Sequence, residues 1–578
     1  MPAQMITQAN SREAVDADDA SKEELIRRVE ALSAKVKKLE KTKYGIVWED
    51  KKEEVAELCR TKLPVLVEDK SMRIKADGKK PPNILIEGDN YHALSVLNYT
   101  HGGRIDMIYI DPPYNTGARD WKYNNDFVDI NDVWRHSKWL SMMSKRILLA
   151  KRLLKKDGVM VVAIDDNEVH RLRMLIEKRM PGYDVTTVVV VQNPRGNITN
   201  NFARTHEYAL FVIPKHHSVI ARTRRENASP RKLRRWGHNS TRKLRPTMFY
   251  PIYVKDGKIT RIGEIPSEGF HPPSKNVRTK DGETEVWPID QDGVERRWNF
   301  SRDTIEDQLD RLVAIETKTG MDIFVTQEDT TPKTVWTETQ MEAGRWGATL
   351  LKSLVKTDFP YPKSLYNVKK CLELVVGQRK EATILDFFAG SGTTGHAVLA
   401  LNNEDDGNRK FILCTNDENG ICREVCHPRI KKVIRGYEKE SKEKLEGPRP
   451  AGLRYYTTSF VDRSPTDMNK KKLVDKSTEM LCLREYCFEP MLEGNDFRIF
   501  GDGRGKVLGI VYSDDGIEPF KRELRKMGVK ATVYVFSLDQ SARDEEFEDM
   551  KAQVVLRAIP AVILNVYDKI LGEARPKN

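Results

Sequence analysis

Residues Met107–Gly117 read MIYIDPPYNTG. A short apolar run ends in an aspartate, two consecutive prolines and a tyrosine. Proline cannot donate to a sheet ladder, and its ring fixes its own φ. The strand therefore stops near Asp111, and the residues after it are held in a rigid shape at its carboxyl end. In open α/β sheets that end is where ligands bind.

The flanking segments keep the rhythm such a sheet needs. NILIEGDNYHALSVL (83–97) reads as strand, acidic turn and helix, and DVWRHSKWLSMMSKRILLAKRLLKKDG (132–158) as a long helix closed by glycine. VMVVAIDD (159–166) is a strand, EVHRLRMLIEKRM (168–180) a helix, and VTTVVVVQ (185–192) and EYALFVI (207–213) are further strands. Strands alternating with helices predict an α/β fold with a doubly wound, mostly parallel sheet. The rhythm lapses between about 195 and 352, a basic stretch holding Trp236, Trp287, Trp298, Trp336 and Trp346. It returns with KSLYNVKKCLELVV (363–376) and TILDFFAGSGTTGHAVLALN (383–402). After Pro448 the composition changes. KVLGIVYS (506–513), GIEPFKRELRKMG (516–528) and KATVYVFSLD (530–539) predict a small separate α/β domain over 448–578.

At the other end, residues 1–20 lack apolar periodicity and are expected to be a disordered tail. In SKEELIRRVEALSAKVKKLEKTKYG (21–45) the apolar residues Leu25, Val29, Leu32, Val36 and Leu39 recur at intervals of 4 and 3. That is a heptad seam with Val at a and Leu at d, which favours two parallel strands. A helix over 21–43 would pair with a second copy in a homodimer, or pack on its own domain.

The chain has 578 residues, more than one core carries, with 39% hydrophobic and 32% charged residues. No run of about 18 apolar residues exists, so no membrane span is expected, and the first twenty residues do not resemble a signal peptide. Cys59, Cys371, Cys414, Cys422, Cys426, Cys482 and Cys487 are scattered, odd in number and without CxxC spacing. They suggest reduced thiols in a cytoplasmic protein and no metal site. The net charge of +12 favours a polyanionic partner. Ala221–Arg245 holds ten Lys/Arg against one Glu. Arg231, Lys232, Arg234, Arg235, Trp236, Arg242 and Lys243 are its candidate phosphate-binding residues.

The second informative stretch is DFFAGSGTT (386–394). An apolar strand runs into Gly390 and Gly392 and then a helix, a turn at which backbone can approach a ligand. It is neither GxGxxG nor a phosphate loop with its lysine. Further on, KFILCTNDEN (410–419) ends a strand in Asp417 and Glu418, and an acid there is placed to hold a ribose hydroxyl pair.

Together, Asp-Pro-Pro-Tyr after one strand and Asp-Phe-Phe-Ala-Gly-Ser-Gly-Thr-Thr after another resemble the amino-methyltransferases of DNA. The order of catalytic motif, long variable segment and cofactor motif resembles their β class. EGDN (87–90), DGVMVVAIDDNE (157–168), HEYALFV (206–212) and DFPYPKSLYNV (358–368) sit where that class has motifs. The resemblance covers about 44–440 and is strongest to the modification subunits of type III restriction–modification systems. It implies a seven-stranded-type, Rossmann-like methyltransferase sheet, with a catalytic half at 44–194, a target-recognition insertion at 195–352 and a cofactor half at 353–447. It also implies S-adenosylmethionine as cofactor, double-stranded DNA as substrate, a homodimer and a restriction (helicase) subunit as partner. One departure is Lys363-Ser364, where the family usually has Lys-Pro.

An adenine N6 is a poor nucleophile because its lone pair is delocalised into the ring. The resemblance assigns catalysis to Asp111, Pro112, Pro113 and Tyr114. The Asp111 carboxylate and the Pro112 carbonyl would each accept one amine hydrogen, while Tyr114 stacks on a base flipped out of the duplex. Cofactor contacts fall on Asp89, Lys363, Asp386, Phe388, Gly390, Ser391 and Gly392, with Asp417 or Glu418 on the ribose. Asp89 would otherwise cap the next helix. N4-cytosine methylation is the nearest alternative, and a catalytically silent DNA-binding specificity subunit is the alternative from another class.

Overall fold

The computed structural model describes residues 22–40, 46–75, 82–198, 200–224, 230–326, 329–438, 444–445, 451–464, 466–538 and 541–574. The expected tail over 1–20 lies outside them. The chain divides into one unit of Met1–Ile220 with Lys333–Asn578 and a second of Ala221–Pro332.

The first unit is built on a ten-stranded sheet. Its strands in chain order are β1 (Lys62–Glu68), β2 (Asn83–Glu87), β3 (Ile105–Ile110), β4 (Leu154–Ile164), β5 (Tyr183–Val191), β6 (His206–Pro214), β7 (Val335–Trp336), β8 (Thr383–Asp386), β9 (Lys410–Thr415) and β10 (Leu453–Asp462). Across the sheet they lie β1-β10-β2-β9-β8-β3-β4-β6-β5-β7. From β10 to β4 every neighbouring pair is parallel, whereas β1 and β6 run antiparallel to their neighbours. The doubly wound α/β sheet read from the sequence is present, with ten strands where seven were expected.

All six residues of β3 are buried, as a parallel strand covered on both faces requires. Successive side chains point to opposite faces. Ile108 and Ile110 join one core with α1 (Asn90–Thr100), α2 (Arg135–Leu153) and α3 (Val169–Arg179), through Leu94, Trp139, Ile147 and Leu172. Met107 and Tyr109 join the other with α4 (Leu365–Val376), α5 (Thr393–Asp405) and α6 (His427–Arg435), through Val368, Leu372, Val398 and Ile430. The chain passes from β2 to β3 over two positions that β9 and β8 later fill. Thus β8 lies beside β3, with Ile384 opposite Met107 and Leu385 opposite Ile108. The two motif-bearing strands end side by side.

Three expected boundaries shift. The segment after Pro448 does not begin a separate domain. β10 pairs with both β1 and β2, because Leu453, Tyr455 and Tyr456 are core residues. The five-stranded sheet beyond it (Glu489–Glu493, Phe497–Gly501, Val507–Val511, Ala531–Phe536, Val554–Ile559) shares the α1 core through Leu508, Ile510, Tyr534 and Ile559. The expected insertion, 195–352, contracts to the compact unit 221–332. β6 and β7 both belong to the large sheet, and a two-residue strand such as β7 leaves no periodic signal. The helix Lys22–Glu40 forms, and its seam residues Leu25, Val29, Leu32 and Val36 are 39%, 60%, 56% and 52% exposed. It therefore does not bury this stripe in its own domain. The Leu39 side chain lies outside the described residues.

The second unit is antiparallel throughout. One sheet of four short strands and one of three enclose Leu233, Tyr250, Ile252, Val286, Trp298 and Ile323.

Candidate active site

β3 delivers Asp111 to the carboxyl end of the sheet, where 26% of its side chain is exposed. The two prolines stiffen the turn, and side chains from elsewhere in the fold grip the residues around it. Trp139 Nε1 on α2 donates to the Pro113 carbonyl (2.7 Å). Asn115 takes a left-handed backbone at φ +57°. Its amide donates to Glu168 Oε1 (2.6 Å) and its carbonyl oxygen accepts from Trp121 Nε1 (3.1 Å). Asparagine is among the few side chains that tolerate this conformation. No donor among the described residues reaches the Pro112 carbonyl.

Around Asp111 the fold gathers groups that are remote in sequence. Lys363, just before α4, places Nζ 2.5 Å from Glu207 Oε2 and 3.3 Å from Asp111 Oδ1, and it donates to the Tyr114 hydroxyl. Tyr114 Oη in turn donates to Glu207 Oε2 (3.0 Å). Burial pushes the Asp111 carboxyl up to about 6; Lys363 pulls against that rise and Glu207 adds to it. Burial acts to lower Lys363, but Asp111 and Glu207 outweigh it and hold the ammonium above lysine's ordinary range. Lys363, expected among the cofactor contacts, thus belongs to the Asp111 cluster. The reason is that β6 presents a buried glutamate opposite it. Ser364, the departure from Lys-Pro, begins α4 by accepting from Asn367 N (3.4 Å).

The glycine turn lies next door. Asp386 is buried, accepts from Thr394 Oγ1 (2.5 Å) and Phe388 N (3.0 Å), and is pushed up to about 7 by burial. Gly390 and Gly392 stand at φ +47° and +80°, backbone that favours glycine. A Cβ at Gly390 would make ordinary contacts with the edge of Phe359 at 3.4 Å and the Phe388 carbonyl at 4.0 Å, whereas one at Gly392 would press to 3.0 Å from Cys426 Sγ. Gly390 leaves the space beside its backbone uncrowded, and Gly392 serves close packing of α5 on α6.

Other expected contacts prove to be committed within the fold. Ser391 Oγ accepts from the fully buried Arg429 (3.0 Å), which also binds Thr393 Oγ1 (2.8 Å). Asp417 Oδ1 accepts from Cys422 N (3.0 Å) and Arg423 N (2.9 Å), closing the turn after it. Glu418 pairs with Lys122 at 2.6 Å. Asp89 caps α1 through Tyr91 N (2.7 Å), with Arg146 3.5 Å from the same oxygen. All seven cysteines are buried.

Glu207 and Glu168 carried no assigned role in the sequence. Each had a faint signal: an acid inside an otherwise apolar strand, HEYALFV, and an acid closing AIDDNE.

In the second unit the basic stretch splits into two groups. Asp322 is fully buried and draws in Lys232 (3.2 Å), Arg234 (3.6 Å) and Lys275 (3.0 Å). Arg242 is held by Glu295 (3.1 Å) and by the Phe270 (2.6 Å) and Ser267 (2.9 Å) carbonyls. For two of the expected phosphate contacts this is a correction: a buried charge must be paired, and Arg234 and Arg242 are paired inside, while Lys232 stays partly exposed. Arg231, Arg235, Lys243 and Arg245 are exposed. Burial, with the like charges of Arg235 and Arg245, holds Arg297 below arginine's ordinary range. Trp236, half exposed, has the guanidinium groups of Arg234 and Arg296 over its ring, at 5.6 and 5.3 Å from the centroid.

A family model described as "DNA methylase" matches residues 105–443, which span both motif-bearing strands. The Mod subunit of the type III restriction–modification enzyme EcoPI, from Escherichia phage P1, is 28% identical over 465 residues, 72% of this chain and 69% of the relative. The type II methyltransferase M.KpnI of Klebsiella pneumoniae is 31% identical over 347 residues, 56% of this chain and 78% of the relative. The crystal structure of the M1.HpyAVI–SAM complex is 14% identical, with a TM-score of 0.29, and covers 60% of this chain and 98% of that one.

Proposed function

The chain belongs to the DNA methylase family, and from that membership we propose that it moves a methyl group from S-adenosylmethionine to the N6 amine of adenine in double-stranded DNA, as the modification subunit of a type III system. The observation that carries this reading is the register of β8 beside β3, which sets Asp111 and the Gly390 turn at one carboxyl edge. The residues suit the cofactor. The open backbone at Gly390, next to the buried Asp386 carboxyl, fits a ligand with cationic sulfur and ammonium groups. When bound, that cofactor would supply a methyl activated on a sulfonium, whose sulfur keeps the electron pair of the broken S–C bond and departs as a neutral thioether.

What the chain adds is orientation and a place for the proton. Asp111 accepts one hydrogen of the target amine and the Pro112 carbonyl the other. This draws the nitrogen toward tetrahedral geometry and frees its lone pair. As that lone pair becomes the new N–C bond, the nitrogen carries one proton too many, and Asp111 takes it. A carboxyl near 6 is a better proton acceptor than one at the usual 3.8. Tyr114, anchored through its hydroxyl, offers its ring to the flipped base. Sequencing with modified-base detection on DNA from cells expressing this chain tests the reading. It should find N6-methyladenine at one short recognition sequence; N4-methylcytosine, or no methylation, would overturn it.

We assign DNA backbone contact to the exposed cations Arg235, Lys243 and Arg245. Replacing all three by Gln should lower the slope of log affinity against log salt by about 2–3. Arg242→Gln should instead lower the melting temperature with little change in slope. Salt titrations by fluorescence anisotropy separate the two, and an unchanged slope in the triple variant would make this face a solvated loop.

Dimerisation we assign in part to the exposed seam of Lys22–Glu40, which repeats every 3.5 residues. Deleting residues 1–43 should shift sedimentation equilibrium toward monomer at low micromolar concentration. A truncated chain that dimerises as tightly as the full one would place the interface elsewhere.

A further inference from the structure

Lys363 presents a difficulty for this chemistry. Its ammonium lies 3.3 Å from Asp111 Oδ1, so it competes with the target amine for that carboxylate. A cation bound squarely to Asp111 would occupy the lone pairs the amine needs and would make the carboxylate a poorer proton acceptor. The structure shows what prevents this. Glu207 Oε2, on β6, stands closer to the ammonium, at 2.5 Å, and Glu207 is almost wholly buried. Tyr114 Oη binds the same glutamate oxygen and Lys363, and Asn367 Nδ2 on α4 lies 3.5 Å from Oε1. The ammonium is thereby held between two carboxylates and shared unequally.

We propose that Glu207 is a positioning residue for methyl transfer: by taking the larger share of the Lys363 ammonium, its carboxylate leaves Asp111 open to the target amine. This rests on Asp111 being the acceptor of that amine. The buried cluster then has one cation and two carboxylates, a net negative charge where the methylated nitrogen becomes transiently positive. In water-poor surroundings such fixed charge acts strongly.

The charged and titratable groups facing Asp111 are Lys363, Glu207, Tyr114, Tyr109 of its own strand and Asp386 on β8. Glu207 raises Asp111 and Lys363 lowers it, so removing either should move the acidic limb of activity, in opposite directions. With Glu207→Gln the ammonium turns to Asp111. The limb should move down by about one pH unit, and kcat on the plateau should fall at least about tenfold. With Lys363→Gln the limb should move up, because Asp111 keeps the burial and loses its cation.

The test is the pH–rate profile of single-turnover methylation by the full-length protein, on duplex carrying its mapped recognition sequence. Calorimetry with S-adenosylmethionine and a thermal melt on each variant serve as controls. A role of Glu207 confined to holding the fold would lower melting or kcat and leave the limb where it is, and that result overturns the proposal. So does a Glu207→Gln enzyme with wild-type plateau and limb. If Glu207→Gln fails to fold, the Lys363→Gln limb decides: a shift upward supports the arrangement, and an unmoved or lowered limb overturns it. Failure of the underlying reading would look different, as an Asp111→Ala enzyme that still methylates.

Discussion

Asp111→Ala should reduce methyl transfer by at least about 10³-fold, while affinities for S-adenosylmethionine and DNA stay within about threefold. The carboxylate acts on the amine, and neither ligand needs it as its main holding contact. The fold should persist. Burial holds the Asp111 carboxyl near 6, above its ordinary 3.8, so the native state binds the proton more readily than the unfolded one. Its ionised form therefore costs stability as pH rises from about 4 through 6, and the alanine variant should melt no lower than wild type at pH 7. The same shift sets the pH dependence of the native enzyme. The ionised form accepts the amine hydrogen, so activity should fall as pH drops through about 6 and level off above it. Single-turnover rates from pH 5 to 8, with calorimetry on both proteins, check each part. Near-normal turnover in the variant, or a profile flat down to pH 5, would remove Asp111 from the chemistry.

Gly390→Val should abolish measurable S-adenosylmethionine binding, by about 100-fold or more. The backbone there stands at φ +47°, a conformation in which a β-branched residue is a steric outlier. The turn must move, and it lies on the approach that the missing side chain leaves clear. Gly392→Val should weaken binding by a different route. Its Cβ would collide with Cys426 Sγ and approach Ile430, so the contact between α5 and α6 opens and the melting temperature falls as well. Calorimetry and thermal melts on both variants distinguish them. A folded Gly390→Val protein with unchanged affinity would show that the cofactor does not pass this turn.

Much of this molecule is legible in local chemistry. A strand that runs into Asp-Pro-Pro must end at Asp111, because proline refuses the ladder. A strand that runs into Gly390 and Gly392 must turn sharply, because the backbone there is one only glycine enters freely. Those two readings, with the alternation of apolar strands and helices, sufficed for the sheet, the family resemblance and the residues on which catalysis is proposed.

What local chemistry could not decide was who pairs with whom. β8 lies beside β3 only because β9 and β8 fill the gap the chain leaves between β2 and β3, and sheet order is a property of the whole core. β10 joins the same sheet, although the change of composition after Pro448 suggested a separate domain. The charged residues obey the same rule. Asp417 and Glu418, Arg234 and Arg242, and Lys363 all read as ligand contacts in the chain. In the fold each has a counter-charge or an unfilled backbone group within reach: Cys422 N and Lys122 for the acids, Asp322 and Glu295 for the arginines, Glu207 for the lysine. Backbone geometry is dictated by neighbours in sequence, and so the motifs could be read from it. The partner of a buried charge is dictated by neighbours in space, and only the tertiary structure brings those together.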